Sequence, residues 1–195
     1  MNTKERIFET ALELFSENGF NATSIRMITK KVGITVASFY NHFKSKEELL
    51  QKVYDYYREQ DIDSNYEQLL DELGPIGLMN FIKDVHVKYA ENERLAKLTK
   101  IIVMEQYTNK TAAEISFKDR QKLLKSTEEL FVLMSKKGFI KVNDSWLIGQ
   151  LIGYAYLGFA YHNPYYNSLE EKKPEDIATE QLDLITRFVK ALIDQ

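Results

Sequence analysis

The chain has 195 residues, of which 44% are hydrophobic and 28% charged; its net charge is −3 and it contains no cysteine. That is enough apolar material for one large domain or a small one beside a larger one, and the mild acidity excludes a generally basic nucleic-acid coat. Disulfides, thiolate nucleophiles and zinc–cysteine sites are excluded, which fits a reducing compartment.

The first residues, MNTKERIFETALELF, carry charges inside their apolar pattern and do not read as a signal peptide. Apolar residues then recur at helical spacing almost throughout, with only 3 prolines and 8 glycines, so the expected fold class is all-α. A first helix is predicted over residues 4–18, with Thr3 as N-cap and Gly19 ending it. A second starts after Thr23 or Ser24 and runs to residue 31, and Gly33 supplies the turn. A third runs over 35–41, with Phe39 and Phe43 on its inner face. Ser45 and Glu48 form a capping box opening a fourth helix, expected to persist to residue 73. Gly74-Pro75 is the strongest break. Further helices are expected over 76–91, 94–107, 111–137, 145–162 (capped by Asp144) and 175–193, with residues 163–174 as a loop. Residues 146–161, the most apolar run, are too few for a membrane span and read as a buried helix. The expectation is a cytoplasmic protein without membrane association.

Residues 23–46 hold Arg26, Lys30, Lys31, Lys44 and Lys46 and no acid. The block contributes +5, so the rest of the chain carries −8, and charge is segregated. Two short helices joined at Val32-Gly33-Ile34 inside such a block make a helix-turn-helix, a device that lays its second helix in the major groove. With Phe39 and Phe43 inward, Thr35, Val36, Ala37, Ser38, Tyr40 and Asn41 face out. Val36 and Ala37 suit a thymine methyl, and Ser38 and Asn41 suit base edges or phosphate. Thr23 or Ser24 at the start of the second helix and Lys46 at the start of the fourth are placed for phosphate. Arg26 suits the same role or an ion pair with a nearby glutamate. The competing reading is a solvated cationic face on an ordinary helical corner.

The pattern Ala11-x-x-Leu14-Phe15-x-x-x-Gly19-Phe20, then Thr23-Ser24-Ile25-x-x-Ile28, Val32-Gly33-Ile34 and Ser38-Phe39-Tyr40-x-His42-Phe43-x-Ser45-Lys46-Glu47-Glu48-Leu49-Leu50, resembles the TetR family of transcriptional regulators (TetR/AcrR type). The resemblance is dense over residues 5–50. Beyond residue 50 only length and helix pattern agree. It implies a helix-turn-helix DNA-binding domain over residues 1–50 (motif about 24–43) and an effector-binding and dimerisation domain over 51–195. It also implies phosphate contacts from Tyr40 and His42, a palindromic double-stranded DNA operator, and a small-molecule effector that releases it. The fourth helix, with Lys46 on phosphate at one end, is the expected coupling element.

In the second domain, Gly149-x-x-x-Gly153 and Ala160 lie on roughly one face of their helix. The last helix, with Gln181, Ile185, Phe188 and Leu192, is apolar around more of its circumference than one core needs. These residues are the expected homodimer interface, as the resemblance implies for the last two helices; otherwise they are core. Phe81, Val85, Tyr89, Ile102, Met104, Tyr107, Phe131, Met134 and Tyr154 suit an apolar or aromatic effector, or plain core. His86 and His162 are further effector contacts or satisfied core or surface groups.

Asp61, Asp63, Asn65 and Glu72 imitate a calcium loop, but Tyr66 stands where the turn needs glycine. No metal, cofactor or catalytic cluster is expected, and the chain is not read as an enzyme. The expected function is a ligand-responsive repressor. Its alternatives are an activator of the same fold and an all-helical dimeric adaptor that binds protein rather than DNA.

Overall fold

The computed structural model describes residues 1–59, 65–160 and 173–194, without the side chains of residues 159, 160 and 174. Nine helices and no strand occur among the described residues. They are α1 (Thr3–Asn18), α2 (Ile25–Val32), α3 (Val36–Tyr40), α4 (Lys46–Arg58), α5 (Tyr66–Glu91), α6 (Glu93–Glu105), α7 (Lys110–Lys136), α8 (Ser145–Ala160) and α9 (Pro174–Ile193). The predicted loop over 163–174 lies almost wholly outside the described residues, as do His162, Asp61 and Asp63. The all-α expectation holds.

Helix starts follow side-chain capping. α1 begins one residue earlier than expected, because Asn2 rather than Thr3 caps it and Glu5 returns the bond to the Asn2 N–H. Ser24 caps α2 and Thr35 caps α3. Ser45 caps α4 as expected, but Glu48 reaches back to the Lys44 N–H, one residue before the predicted partner. Asp144 accepts from the Leu147 N–H at the start of α8. α4 stops at Arg58 rather than residue 73. Asn65 caps a new helix by accepting from the Gln68 N–H. The predicted break appears inside α5, where Gly74 adopts φ 67° and kinks the helix ahead of Pro75.

The described chain forms two compact units, which do not follow a cut at residue 50. The first is Met1–Ile62 with Glu93–Ser116, so α4 and α6 belong to it whole. The second is Asp63–Asn92 with Phe117–Gln195. The first unit's core joins Ile7, Leu12 and Phe15 of α1 to Ile28, Phe39, Phe43, Leu49 and Val53, with Leu98, Ile101 and Ile102 of α6 closing it. The second unit's core joins Leu70 and Leu78 of α5, Phe131 and Met134 of α7, Ile140, and Leu182, Ile185, Val189 and Leu192 of α9.

Candidate nucleic-acid interface

α3 has five residues, too few to be stable alone. It is held by two aromatic anchors: Phe39 and Phe43 are buried with ring centroids 5.8 Å apart. Burying side chains of this size stabilises by roughly 1.5–3 kcal/mol each. The turn before it is fixed at both sides. Gly33 takes the left-handed conformation, φ 77° and ψ 39°, which a side chain would strain. The Arg6 guanidinium of α1 donates to the Val32 carbonyl, which the end of α2 leaves open.

What remains outward matches the sequence expectation closely. Thr35, Val36, Ala37, Tyr40 and Asn41 are exposed, while Ser38 and His42 are half-buried. Tyr40 is 52% exposed and braces its ring edge-on against Phe39, centroids 5.5 Å apart. The Thr35 hydroxyl accepts from the Ser38 N–H, so its oxygen is partly committed to capping. The Ser24 hydroxyl does the same for the Met27 N–H. Both remain at the surface.

The five cations divide. Arg26, Lys30 and Lys44 are exposed and have no ion pair among the described residues. Lys31 pairs with Glu13 of α1 at 2.8 Å. That hydrogen bond holds the Glu13 carboxyl below its ordinary value and Lys31 above its own. Both groups are well exposed, so the pair adds little stability. Arg26 makes no glutamate pair among the described residues.

Two expected phosphate contacts are corrected. Thr23 is fully buried; its hydroxyl donates toward the Leu14 and Gly19 carbonyls and its N–H goes to Phe20. Neither group faces outward, because the turn after α1 uses both to close on itself. Lys46 sends its ammonium inward as well, to the carbonyls of Phe20 at 2.8 Å and Thr23 at 2.7 Å, 4.1 Å above the Phe20 ring. The ammonium finds main-chain oxygens and an aromatic face within reach, and these replace its water.

Sequence reasoning missed Arg6 and Glu105. Arg6 gives no signal, being one more polar residue on an amphipathic helix. Glu105 does give one. It continues the buried stripe Leu98, Ile101, Ile102 at helical spacing, so an acid stands where α6 turns inward. It is only 6% exposed and accepts from the Phe20 N–H at 3.1 Å.

In the second unit the expected interface is redrawn. Gly149 and Gly153 are buried against α7 of the same chain: a Cβ at Gly149 would come within 2.7 Å of the Glu128 Cα and the Thr127 carbonyl oxygen. One at Gly153 would come within 2.6 Å of the Thr127 hydroxyl. Small residues here let α8 approach α7, not a partner. Ile185 and Leu192 are core, Gln181 is half-buried, and Phe188 is exposed. The side chain of Ala160 lies outside the described residues.

The expected effector residues fall in both units. Ile102 is first-unit core, and Met104 and Tyr107 are exposed on that unit. Phe131 and Met134 are second-unit core, Tyr154 is exposed, and Phe81, Val85 and Tyr89 are half-buried. His86 does sit in a polar aromatic setting. Its Nδ1 lies 2.7 Å from the Ile82 carbonyl and its ring meets Tyr156 edge-on at 5.1 Å. Burial holds the imidazole below its ordinary value and pushes the Tyr156 phenol up, helped by neighbouring Tyr66 and Tyr89.

A short helix offered outward from a capped, glycine-turned pair, with unpaired cations beside it, defines a helix-turn-helix domain of the DNA-binding type. Residues 7–53 match the family model described as bacterial regulatory proteins, tetR family. Over this N-terminal stretch the chain therefore resembles that family. The HTH-type transcriptional regulator YerO of Bacillus subtilis (strain 168) is 50% identical over 54 residues, 28% of this chain and 19% of YerO. The biofilm operon icaADBC HTH-type negative transcriptional regulator IcaR of Staphylococcus epidermidis (strain RP62A) is 36% identical over 93 residues, 44% of this chain and 49% of IcaR. The chain thus spans less than half the length of these curated relatives. The solved structure of AibR in complex with isovaleryl coenzyme A and operator DNA superposes with TM-score 0.62 at 22% identity, covering 94% of this chain and 97% of that one. The fold is therefore shared along nearly the whole chain. Both curated relatives are named as transcriptional regulators. Among the described residues no helix is long and apolar enough to cross a membrane.

Proposed function

We propose that this protein is a cytoplasmic, homodimeric repressor that binds a palindromic operator and is released by a small apolar or aromatic effector. The observation that carries the reading is the exposed face of α3, Val36, Ala37, Tyr40 and Asn41, held by buried Phe39 and Phe43 and flanked by unpaired Arg26, Lys30 and Lys44. IcaR is named a negative regulator, and AibR was solved with both an acyl-coenzyme A and operator DNA; both support the repressor and effector parts. The dimer is supported by apolar side chains left in the open on α8 and α9: Leu147, Leu151, Tyr154, Leu184 and Phe188. Large apolar residues clustered on two helices of a unit that already has a core suit a second copy. The effector reading places polar recognition at His86 and Tyr156.

The test is a titration of the purified protein with duplexes from the region upstream of its own gene. Three unpaired cations per subunit, six per dimer, predict a log–log salt slope of roughly −5. Absence of any complex at low salt would overturn the regulator reading.

A further inference from the structure

Phe20 lies in the turn between α1 and α2, and two opposite charges hold its backbone. The Glu105 carboxylate accepts its N–H at 3.1 Å, and the Lys46 ammonium donates to its carbonyl at 2.8 Å. Lys46 also takes the carbonyl of Thr23, the residue before the α2 cap. Each charge meets the backbone dipole end it favours. The two come from different helices, Lys46 from the first turn of α4 and Glu105 from the last residue of α6.

Glu105 is the unusual member. A carboxylate that is 6% exposed is costly unless bonded. The Tyr54 hydroxyl of α4 is also buried, with no hydrogen-bond partner among the described residues, and the charge of Glu105 adds to the burial that pushes its phenol up. A leucine would complete the stripe on α6 without this cost. The far end of α6 is tied separately: Arg94 bonds Glu9 at 2.8 Å and stacks 4.1 Å above the Tyr56 ring. α6 opens the stretch Glu93–Ser116, which belongs to the first unit.

We propose that Glu105 is a positioning residue for DNA recognition: with Lys46 it grips Phe20 from both sides and sets the pose of α2 and α3 against α6. This rests on the regulator reading above. Lys46 then acts through the turn and not through phosphate.

The experiment uses the full-length protein, its Glu105→Ala and Lys46→Met variants, and two readouts: amide hydrogen exchange at Phe20, and affinity for an upstream duplex and for an unrelated duplex across a salt series. In E105A the Phe20 amide is expected to exchange roughly tenfold faster or more, as loss of a bond to a charged group implies. Amides of α9 should stay unchanged. The ratio of upstream to unrelated affinity should fall by about tenfold, with unrelated affinity unchanged. K46M should lower upstream affinity without changing the salt slope, whereas loss of a phosphate contact would reduce the slope by roughly one per subunit. Unchanged Phe20 exchange in E105A, or a reduced slope in K46M, overturns the proposal. If E105A does not fold, Glu105→Gln keeps the shape and an acceptor, and must still accelerate Phe20 exchange. The exchange result stands even where no DNA is bound, so failure of the grip and failure of the regulator reading are told apart.

Discussion

The two units hold their helices in place by different means. In the first, long-range polar bonds fasten backbone to side chain: Arg6 to Val32, Lys46 to Phe20 and Thr23, Glu105 to Phe20. In the second, shape does more. Glycines admit α8 to α7, aliphatic and methionine side chains make up most of the core, and the long-range ion pairs Lys83–Asp183 and Lys137–Asp71 lie nearer the surface. The contrast suits what each unit is proposed to do. A surface that must match a rigid duplex needs its reading helix fixed within a fraction of an ångström, and directional bonds do that. A unit that must accommodate an effector and a second copy is better served by packing that can adjust.

The largest effect on this contrast comes from removing an anchor of α3. Phe39→Ala should cost about 3–5 kcal/mol in a denaturant titration and weaken all DNA binding with it. A loss well under 1 kcal/mol would mean that α3 is not held by its core. Next is Gly149→Ala, whose Cβ would meet α7 backbone. It should cost about 1–3 kcal/mol with little change in dimerisation measured by sedimentation. Dissociation at unchanged stability would place Gly149 at the dimer interface.

The smallest effect is pH dependence in the second unit. Burial holds folded His86 below its ordinary 6.5, the Ile82 carbonyl only partly opposing this. The unfolded chain therefore takes up the proton first as pH falls. His86 leaves stability untouched above 6.5, erodes it as pH drops through that value, and adds no further loss once the folded ring is protonated too. His86→Gln should flatten the unfolding profile in that window. An unchanged profile would mean that the ring is not shielded.

The same contrast explains what the sequence revealed. Capping residues, Gly33, and the Phe39–Phe43 spacing are local signals, and they located α1 to α3 and the outward face of α3 within a residue or two. The inward turn of Lys46 is illegible because its partners lie 26 and 23 residues away, beyond any local pattern, whereas Thr23 closes on nearby Gly19 and Phe20 as well as on Leu14. Gly149 and Gly153 announced a close helix approach, but spacing cannot say which helix approaches. The expected effector residues stand out only by size and apolarity, which core and pocket wall share. Glu105 was legible as an acid in an apolar stripe, a conflict between position and chemistry that points to a bonded partner.

The most direct test of the central claim is a charge placed on the reading face itself. Ala37 is exposed on α3, so Ala37→Glu should leave unfolding unchanged. Facing a polyanion, it should weaken binding to the upstream duplex by more than roughly tenfold at fixed salt. Equal affinity of the wild type and this variant would show that α3 does not lie against DNA.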